Sequence, residues 1–260
     1  MTLLQVPATL RAIWRVTLSV LHVLLGALIC AVLFPFIGPA RRMRIVGGWS
    51  ACMLVALGIR LSREGSIGPG PLLLVANHIS WLDILAINAV QPARFVSKSD
   101  VRHWPLLGWL VACGGTLFIE RERKRDALRV VHQVAAALTA GEIIAVFPEG
   151  TTGEGHDVLP FHANLLQAAV ATHTPVQALA LRYSDSRQPV SAAAAYVGDT
   201  PLAASIWATA MAHRLCVQVQ ISAPRPTAEG IDRRELAERL RHDIVRGLAL
   251  CTQQGVRGRG

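Results

Sequence analysis

Two short segments of this 260-residue chain combine residue types that can move protons and hold polar groups. Asn77-His78-Ile79-Ser80-Trp81-Leu82-Asp83 directly follows the apolar run Pro71–Ala76. An imidazole accepts a proton near neutral pH, and a carboxylate on one ring nitrogen leaves the other free as a base. On a continuous helix, residues five apart lie about 140° apart, so His78 and Asp83 meet only if His78 precedes the helix. Ser80 and Asp83 have the spacing of a capping box, which predicts a helix from near Trp81 and places His78 in the strand-to-helix turn. The same spacing also reads as a plain helix cap beside a turn histidine, and this motif alone leaves both readings open. Phe147-Pro148-Glu149-Gly150-Thr151 closes another apolar run with a carboxylate, a glycine and a hydroxyl, groups suited to a ligand at a strand exit. The loop continues Thr152-Gly153-Glu154-Gly155 without the Gly-Lys-Ser/Thr ending of a P-loop, and its plain alternative is a glycine-rich turn. Lys98, after Phe95-Val96-Ser97, and Arg121, after Phe118-Ile119-Glu120, supply cations suited to a phosphate, with solvated surface charge as the alternative. His156, Asp157 and His162 match no common ligand spacing, and no metal is expected.

These groups need a scaffold, and the pattern for one starts near Glu64. Short all-apolar runs at Pro71–Ala76, Thr116–Ile119, Ile143–Phe147 and Val176–Leu181 suit strands buried on both faces. Between them, Lys124–Ala140 carries Ala127, Val131, Val134 and Leu138 on one stripe and stops at Gly141. Asp232-Arg233-Arg234-Glu235 reads as the cap of a last helix bearing Leu236, Leu240 and Ile244. Strands alternating with helices predict an α/β layered sheet with flanking helices. The tail Thr252–Gly260 is polar and glycine-rich and reads as disordered.

Val16–Gly38 is an apolar stretch with one titratable side chain, His22, to which no role is given. As a helix it is long enough for a hydrocarbon core of about 30 Å, and the arginines that follow it at 41, 42 and 44 argue against a cleaved signal peptide. Ile45–Leu61 is a second apolar segment, broken by glycines, that could lie in the interface, re-enter the membrane or complete a hairpin. Residues 1–63 are therefore expected as a membrane anchor, 64–251 as the domain and 252–260 as the tail. The net charge of +9 with 52% hydrophobic residues fits an anionic membrane surface, and the chain carries no zinc-finger spacing or long basic run that would point to nucleic acid. Arginines at 41, 42, 44, 60 and 63 put that side in the cytoplasm. Five scattered cysteines without a CxxC pair suggest neither a zinc site nor a disulfide framework.

Taken in order, the segments resemble the glycerolipid acyltransferase family that acylates 1-acylglycerol-3-phosphate. The resemblance runs through NHISWLD at 77–83, FVSKSD and WPLLGWL within 95–110, GGTLFIER at 114–121, FPEGT at 147–151 and TPVQALAL at 174–181. It covers roughly residues 72–182 and extends to the N-terminal anchor. It implies a glycerol-3-phosphate acyltransferase-like fold in which His78 deprotonates the acceptor hydroxyl and Asp83 orients His78. The acyl donor would be acyl-CoA or acyl-carrier protein, with no acyl-enzyme, metal or other cofactor. Arg121, Glu149, Gly150 and Thr151, together with the cation Lys98, are implied to bind the lysolipid acceptor. Thr152 stands where many members carry arginine, and Ala178 replaces a usual second proline. The stretch from FPEGTTGEG to LPFHANLL is also similar to the subset that acylates lyso-ornithine lipid, which supplies an alternative acceptor. A non-catalytic lipid-binding relative is a remoter alternative. The expected location is the cytoplasmic face of a bacterial inner membrane.

Overall fold

The computed structural model describes residues 7–119, 124–227 and 230–257. Seven strands, β1 (Arg60–Glu64), β2 (Leu72–Ala76), β3 (Arg94–Lys98), β4 (Leu117–Ile119), β5 (Ile143–Val146), β6 (Val176–Ser184) and β7 (Cys216–Ile221), form one sheet in the order β1-β7-β6-β2-β5-β3-β4. From β6 to β4 all neighbours are parallel. β7 pairs antiparallel with β6 and parallel with β1, so those two strands run the other way. The loops after β2, β3, β4 and β5 consequently leave the same end of the sheet; the segments at 77–83 and 147–151 follow β2 and β5, Lys98 closes β3, and TPVQALAL falls on β6 itself.

The central strands are apolar throughout because both faces are covered. In β2, Leu72, Leu74 and Ala76 pack on one side with α2 (Pro39–Ala56) and α3 (Leu82–Val90). Leu73 and Val75 face the other side, with α5 (Lys124–Thr139), α6 (Leu166–Ala171) and α8 (Arg233–Arg257). A three-layer α/β architecture results. β1, β3 and β7 are not apolar runs: β7 alternates Val217, Val219 and Ile221 inward with half-exposed partners, β3 reads Arg94-Phe95-Val96-Ser97-Lys98, and β1 is a charged, mostly exposed edge. α8 starts where expected, with Asp232 Oδ1 accepting the Arg234 and Glu235 N–H groups. It runs on to Arg257, through most of the segment that reads as disordered, with Gly255 inside its last turn.

The first apolar segment forms α1 (Ala8–Val32), and with the short turn to Phe36 it is long and apolar enough to cross a membrane. One stripe of it is docked on the domain. Arg11 donates to the Met211 carbonyl, and Arg15 to Ala210 and Ala212, at the C-terminal end of α7 (Leu202–Met211). Further along, His22 and Trp49 exchange side-chain-to-main-chain bonds across α1 and α2 with their rings stacked. Gly26 lets that contact close, since a Cβ there would lie 2.6 Å from Trp49 Nε1. The opposite stripe, with Leu21, Leu24, Leu25, Leu28 and Val32, is exposed.

The second apolar segment is not an independent membrane element. α2 completes the hairpin with α1, but Met53, Leu54, Leu57 and Ile59 are buried in the domain core, and β1 begins at Arg60. Anchor and domain thus share this stretch rather than dividing at residue 63. One of the glycines that lower its hydropathy serves packing: a Cβ on Gly47 would lie 2.6 Å from the Pro92 ring.

Candidate active site

β2 and β5 are neighbours in register, so the chain leaving Ala76 and the chain leaving Val146 emerge side by side. His78 sits in the turn between β2 and α3, stacked on the Phe147 ring at 3.9 Å between centroids. Its Nδ1 donates to Asp83 Oδ2 at 2.8 Å, which leaves Nε2 as the proton-accepting nitrogen. Nε2 has no partner among the described residues, and the side chain is 20% exposed while that of Asp83 is sealed from solvent.

The two readings of Asp83 turn out to be one. Oδ2 also accepts the N–H groups of Ile79 (2.6 Å) and Ser80 (2.9 Å), so the carboxylate caps the start of α3 and holds the imidazole with the same oxygen. The reciprocal half of a capping box is missing, because Ser80 Oγ is buried without a hydrogen-bond partner.

Glu149 lies beneath this turn. Oε1 accepts the His78 N–H at 2.7 Å and Oε2 the Leu159 N–H at 2.8 Å. Burial pushes its carboxyl up from the ordinary range, against the downward pull of those two bonds. The resemblance gives Glu149 to the acceptor. In the structure both its oxygens face main-chain N–H groups of the chain itself, and it is 5% exposed. Gly150 makes the turn possible with φ +73, and Thr151 is exposed beside it. The following loop folds back over the histidine: Gly153 N–H donates to the His78 carbonyl at 2.8 Å, and Thr152 Oγ1 to the Tyr196 carbonyl. Tyr196 N–H in turn donates to Ile79 O at 3.0 Å, so the segment around Tyr196 ties the two motif loops together.

Lys98 ends β3 at the same edge of the sheet, one strand beyond β5. Arg121 lies outside the described residues. Among the described residues no group of three or more histidine, cysteine, aspartate or glutamate side chains is arranged to hold a metal ion.

Two contributors carry no role in the sequence reading, Asn77 inside the 77–83 segment and Tyr183 beyond it on β6. Asn77 uses its amide as a replacement for backbone, with Oδ1 accepting the Leu181 N–H (2.8 Å) and Nδ2 donating to the Leu181 carbonyl (3.0 Å). Tyr183, two residues further along β6, donates its hydroxyl to Asp83 Oδ1 at 2.8 Å. Burial, and then the Asp83 charge, push its phenol well above the usual range, so it stays a neutral donor. A sign of it was available in the sequence. Leu179, Leu181 and Tyr183 share one face of a buried strand, and a buried phenol needs an acceptor.

With this geometry in view, comparison with known proteins is specific. The Acyltransferase family model matches residues 59–182, starting where the sheet starts. A lyso-ornithine lipid O-acyltransferase of Pseudomonas aeruginosa is 36% identical over 203 residues, covering 78% of both chains. A 1-acyl-sn-glycerol-3-phosphate acyltransferase of Neisseria gonorrhoeae is 34% identical over 203 residues, 78% of this chain and 79% of that protein. The crystal structure of the 1-acyl-sn-glycerophosphate acyltransferase PlsC from Thermotoga maritima superposes with a TM-score of 0.70 over 93% of this chain and 94% of that one. Its sequence identity is 18%, so that likeness is one of fold. The chain belongs to the acyltransferase family.

Proposed function

We propose that this enzyme moves a fatty acyl group from acyl-CoA or acyl-carrier protein to the free hydroxyl of 1-acyl-sn-glycerol-3-phosphate, giving phosphatidic acid. The observation that carries the reading is the His78–Asp83 pair at 2.8 Å, with Nε2 unpartnered among the described residues at the strand ends where the motif loops gather. With Nδ1–H held by Asp83, Nε2 takes the proton of the acceptor hydroxyl as its oxygen attacks the thioester carbonyl. The tetrahedral intermediate collapses, the C–S bond breaks, and the proton passes from the imidazolium to the leaving thiolate. Asp83 stabilises the imidazolium between these steps. The nucleophile is the acceptor's own oxygen, so the cycle needs no acyl-enzyme, metal or added cofactor. Such a base contributes about 10²–10⁴ in rate, the remainder coming from positioning and oxyanion stabilisation.

Lyso-ornithine lipid is the second acceptor reading, and one observation favours it. The position after the FPEGT motif carries an uncharged hydroxyl, bonded to the Tyr196 carbonyl, so that loop offers less positive charge to a phosphate. Lys98 and Arg121 remain the cations assigned to a phosphate-bearing head group.

The exposed apolar stripe of α1 is assigned to the membrane. Its other stripe is bonded to the domain along most of its length, which supports a helix lying in the surface layer with the domain beside it. The arginines at 41, 42 and 44 suit anionic lipid on a cytoplasmic face, and the bacterial inner membrane is the proposed site.

The test is acyl transfer by detergent-solubilised protein from labelled acyl-CoA and acyl-carrier protein, with both lysolipids offered. Labelled phosphatidic acid supports the first acceptor and labelled ornithine lipid the second. Loss of product in folded His78→Ala is expected, and wild-type turnover in that variant would remove the mechanism.

A further inference from the structure

We infer that Tyr183 is a positioning residue for the base. By donating its hydroxyl to Asp83 it sets how strongly that carboxylate attracts a proton on His78, and so the pH range over which His78 is free to act. The inference rests on the proposed role of His78.

Asp83 has two oxygens with different duties. Oδ2 serves the His78 ring and the main chain of the turn, whereas Oδ1 faces Tyr183. Both side chains are fully buried. The approach of Tyr183 is built rather than accidental. Backbone pairing of β2 with β6 ends at Ala76 opposite Leu179, and β6 continues to Ser184. The Asn77 amide, bonded to Leu181 on both sides, extends the pairing by one step after the β2 backbone has turned away. The next residue on the same face of β6 is Tyr183. The backbone thus leaves the sheet at the point where it presents His78, and the amide keeps β6 straight enough to bring a phenol beneath it.

The other charged groups nearby are few. Glu149 faces the pair from the β5 exit, and its own carboxyl feels both His78 and Asp83. Arg182 points to the opposite face of the sheet, beside Cys251. The Asp185 carboxylate is engaged within its own turn by Ser191 and the N–H groups of Arg187 and Gln188. From α3, Asp83 is itself the only charged group, since Leu82–Val90 contains no other.

A hydrogen bond to a carboxylate disperses its charge and lowers its proton affinity. Without the Tyr183 hydroxyl, more charge faces the His78 N–H, the imidazolium is better stabilised, and a higher pH is needed to free Nε2. Strengthening the same bond should do the reverse. The chain has two tyrosines, Tyr183 and Tyr196, so 3-fluorotyrosine incorporated into a Tyr196→Phe background modifies Tyr183 alone. A fluorinated phenol is more acidic and donates more strongly.

The experiment is the pH dependence of kcat/KM between about pH 5 and 9 on purified full-length protein in detergent, with acyl-CoA and whichever lysolipid turns over. For Tyr183→Phe the acid limb should move up by about half to one pH unit, with the high-pH plateau kept within about threefold. For 3-fluorotyrosine it should move down, measured against Tyr196→Phe with ordinary tyrosine. A role in packing alone lowers the melting temperature or the plateau and leaves the limb in place, and that result in both variants overturns the inference. Should Tyr183→Phe fail to fold, the fluorinated protein decides alone, by a downward shift or by none. His78→Ala separates the two ideas. Activity in it would end the role of His78, whereas an inactive His78→Ala beside unmoved limbs ends only that of Tyr183.

Discussion

The turn between β2 and α3 and the helix α1 both place polar side chains in apolar surroundings, yet they are held in opposite ways. At the turn a single carboxylate, Asp83, has four hydrogen-bond donors, and a second one, Glu149, fixes the main chain of His78 from a different strand. The Asp83 carboxylate and its Ile79, Ser80 and Tyr183 donors are shielded from water, so leaving one of those bonds unmade costs its full desolvation. α1 is attached by a sparse row, Arg11, Arg15, His22 and Gly26, about one contact per turn, with its other face open. Geometry that the proposed proton transfer needs to within a few tenths of an ångström is over-determined. Attachment to a lipid phase, which needs only area, is not.

The hardest test of that contrast is Asp83→Asn. An amide cannot accept from His78, two main-chain N–H groups and Tyr183 with one orientation. We expect kcat/KM to fall by about 10²–10⁴, with about 1–3 kcal/mol of stability lost in denaturant titrations. A near-wild-type rate would mean that the turn is no more constrained than the helix.

Leu24→Asp probes the other side. Leu24 is 53% exposed, so the fold should keep its stability to within about 0.5 kcal/mol. Vesicle association should drop about tenfold or more, since burying a leucine is worth about 1.5–3 kcal/mol. Unchanged flotation with anionic liposomes would take the membrane role away from this face.

Glu149→Gln sharpens what the FPEGT carboxylate does. If it holds His78 from below, as the bonds to His78 and Leu159 suggest, kcat falls about tenfold while KM for the lysolipid stays put. If it binds the acceptor head group, KM rises instead. Steady-state kinetics with varied lysolipid distinguishes these.

Much of this was legible in the residues, and the omissions have physical causes. Strands buried on both faces announce themselves as apolar runs, so β2, β4, β5 and most of β6 could be read. β1, β3 and β7 could not, because charged or polar residues interrupt each of them, whether the strand is an edge (β1) or interior (β3, β7). His78 and Asp83 were legible because the turn is local, five residues long, and the capping spacing forces the histidine out of the helix. Tyr183 and Asn77 act across about a hundred residues of chain, through the β2–β6 pairing, so the residues around each do not name its partner. The shared role of Ile45–Leu61 was hidden for a different reason. A helix buried against a sheet and one lying in lipid are equally apolar, and only the neighbours tell them apart.

The smallest effect is expected from Arg15→Met, which keeps side-chain length but loses the bonds to the Ala210 and Ala212 carbonyls. Those carbonyls end α7, where a cation is also favoured by the helix dipole. The loss should cost about 1–2 kcal/mol, because the site is half-buried and Arg11 still bonds to Met211 beside it. Turnover in detergent should stay within about threefold of wild type, since no described contact of Arg15 reaches the His78 turn. A fall of about a hundredfold with the fold intact would show that the docking of α1 on α7 is felt at the base. Trp81 offers a route, through its indole N–H bond to Ser205 on α7, and Trp81→Phe would then reproduce the loss.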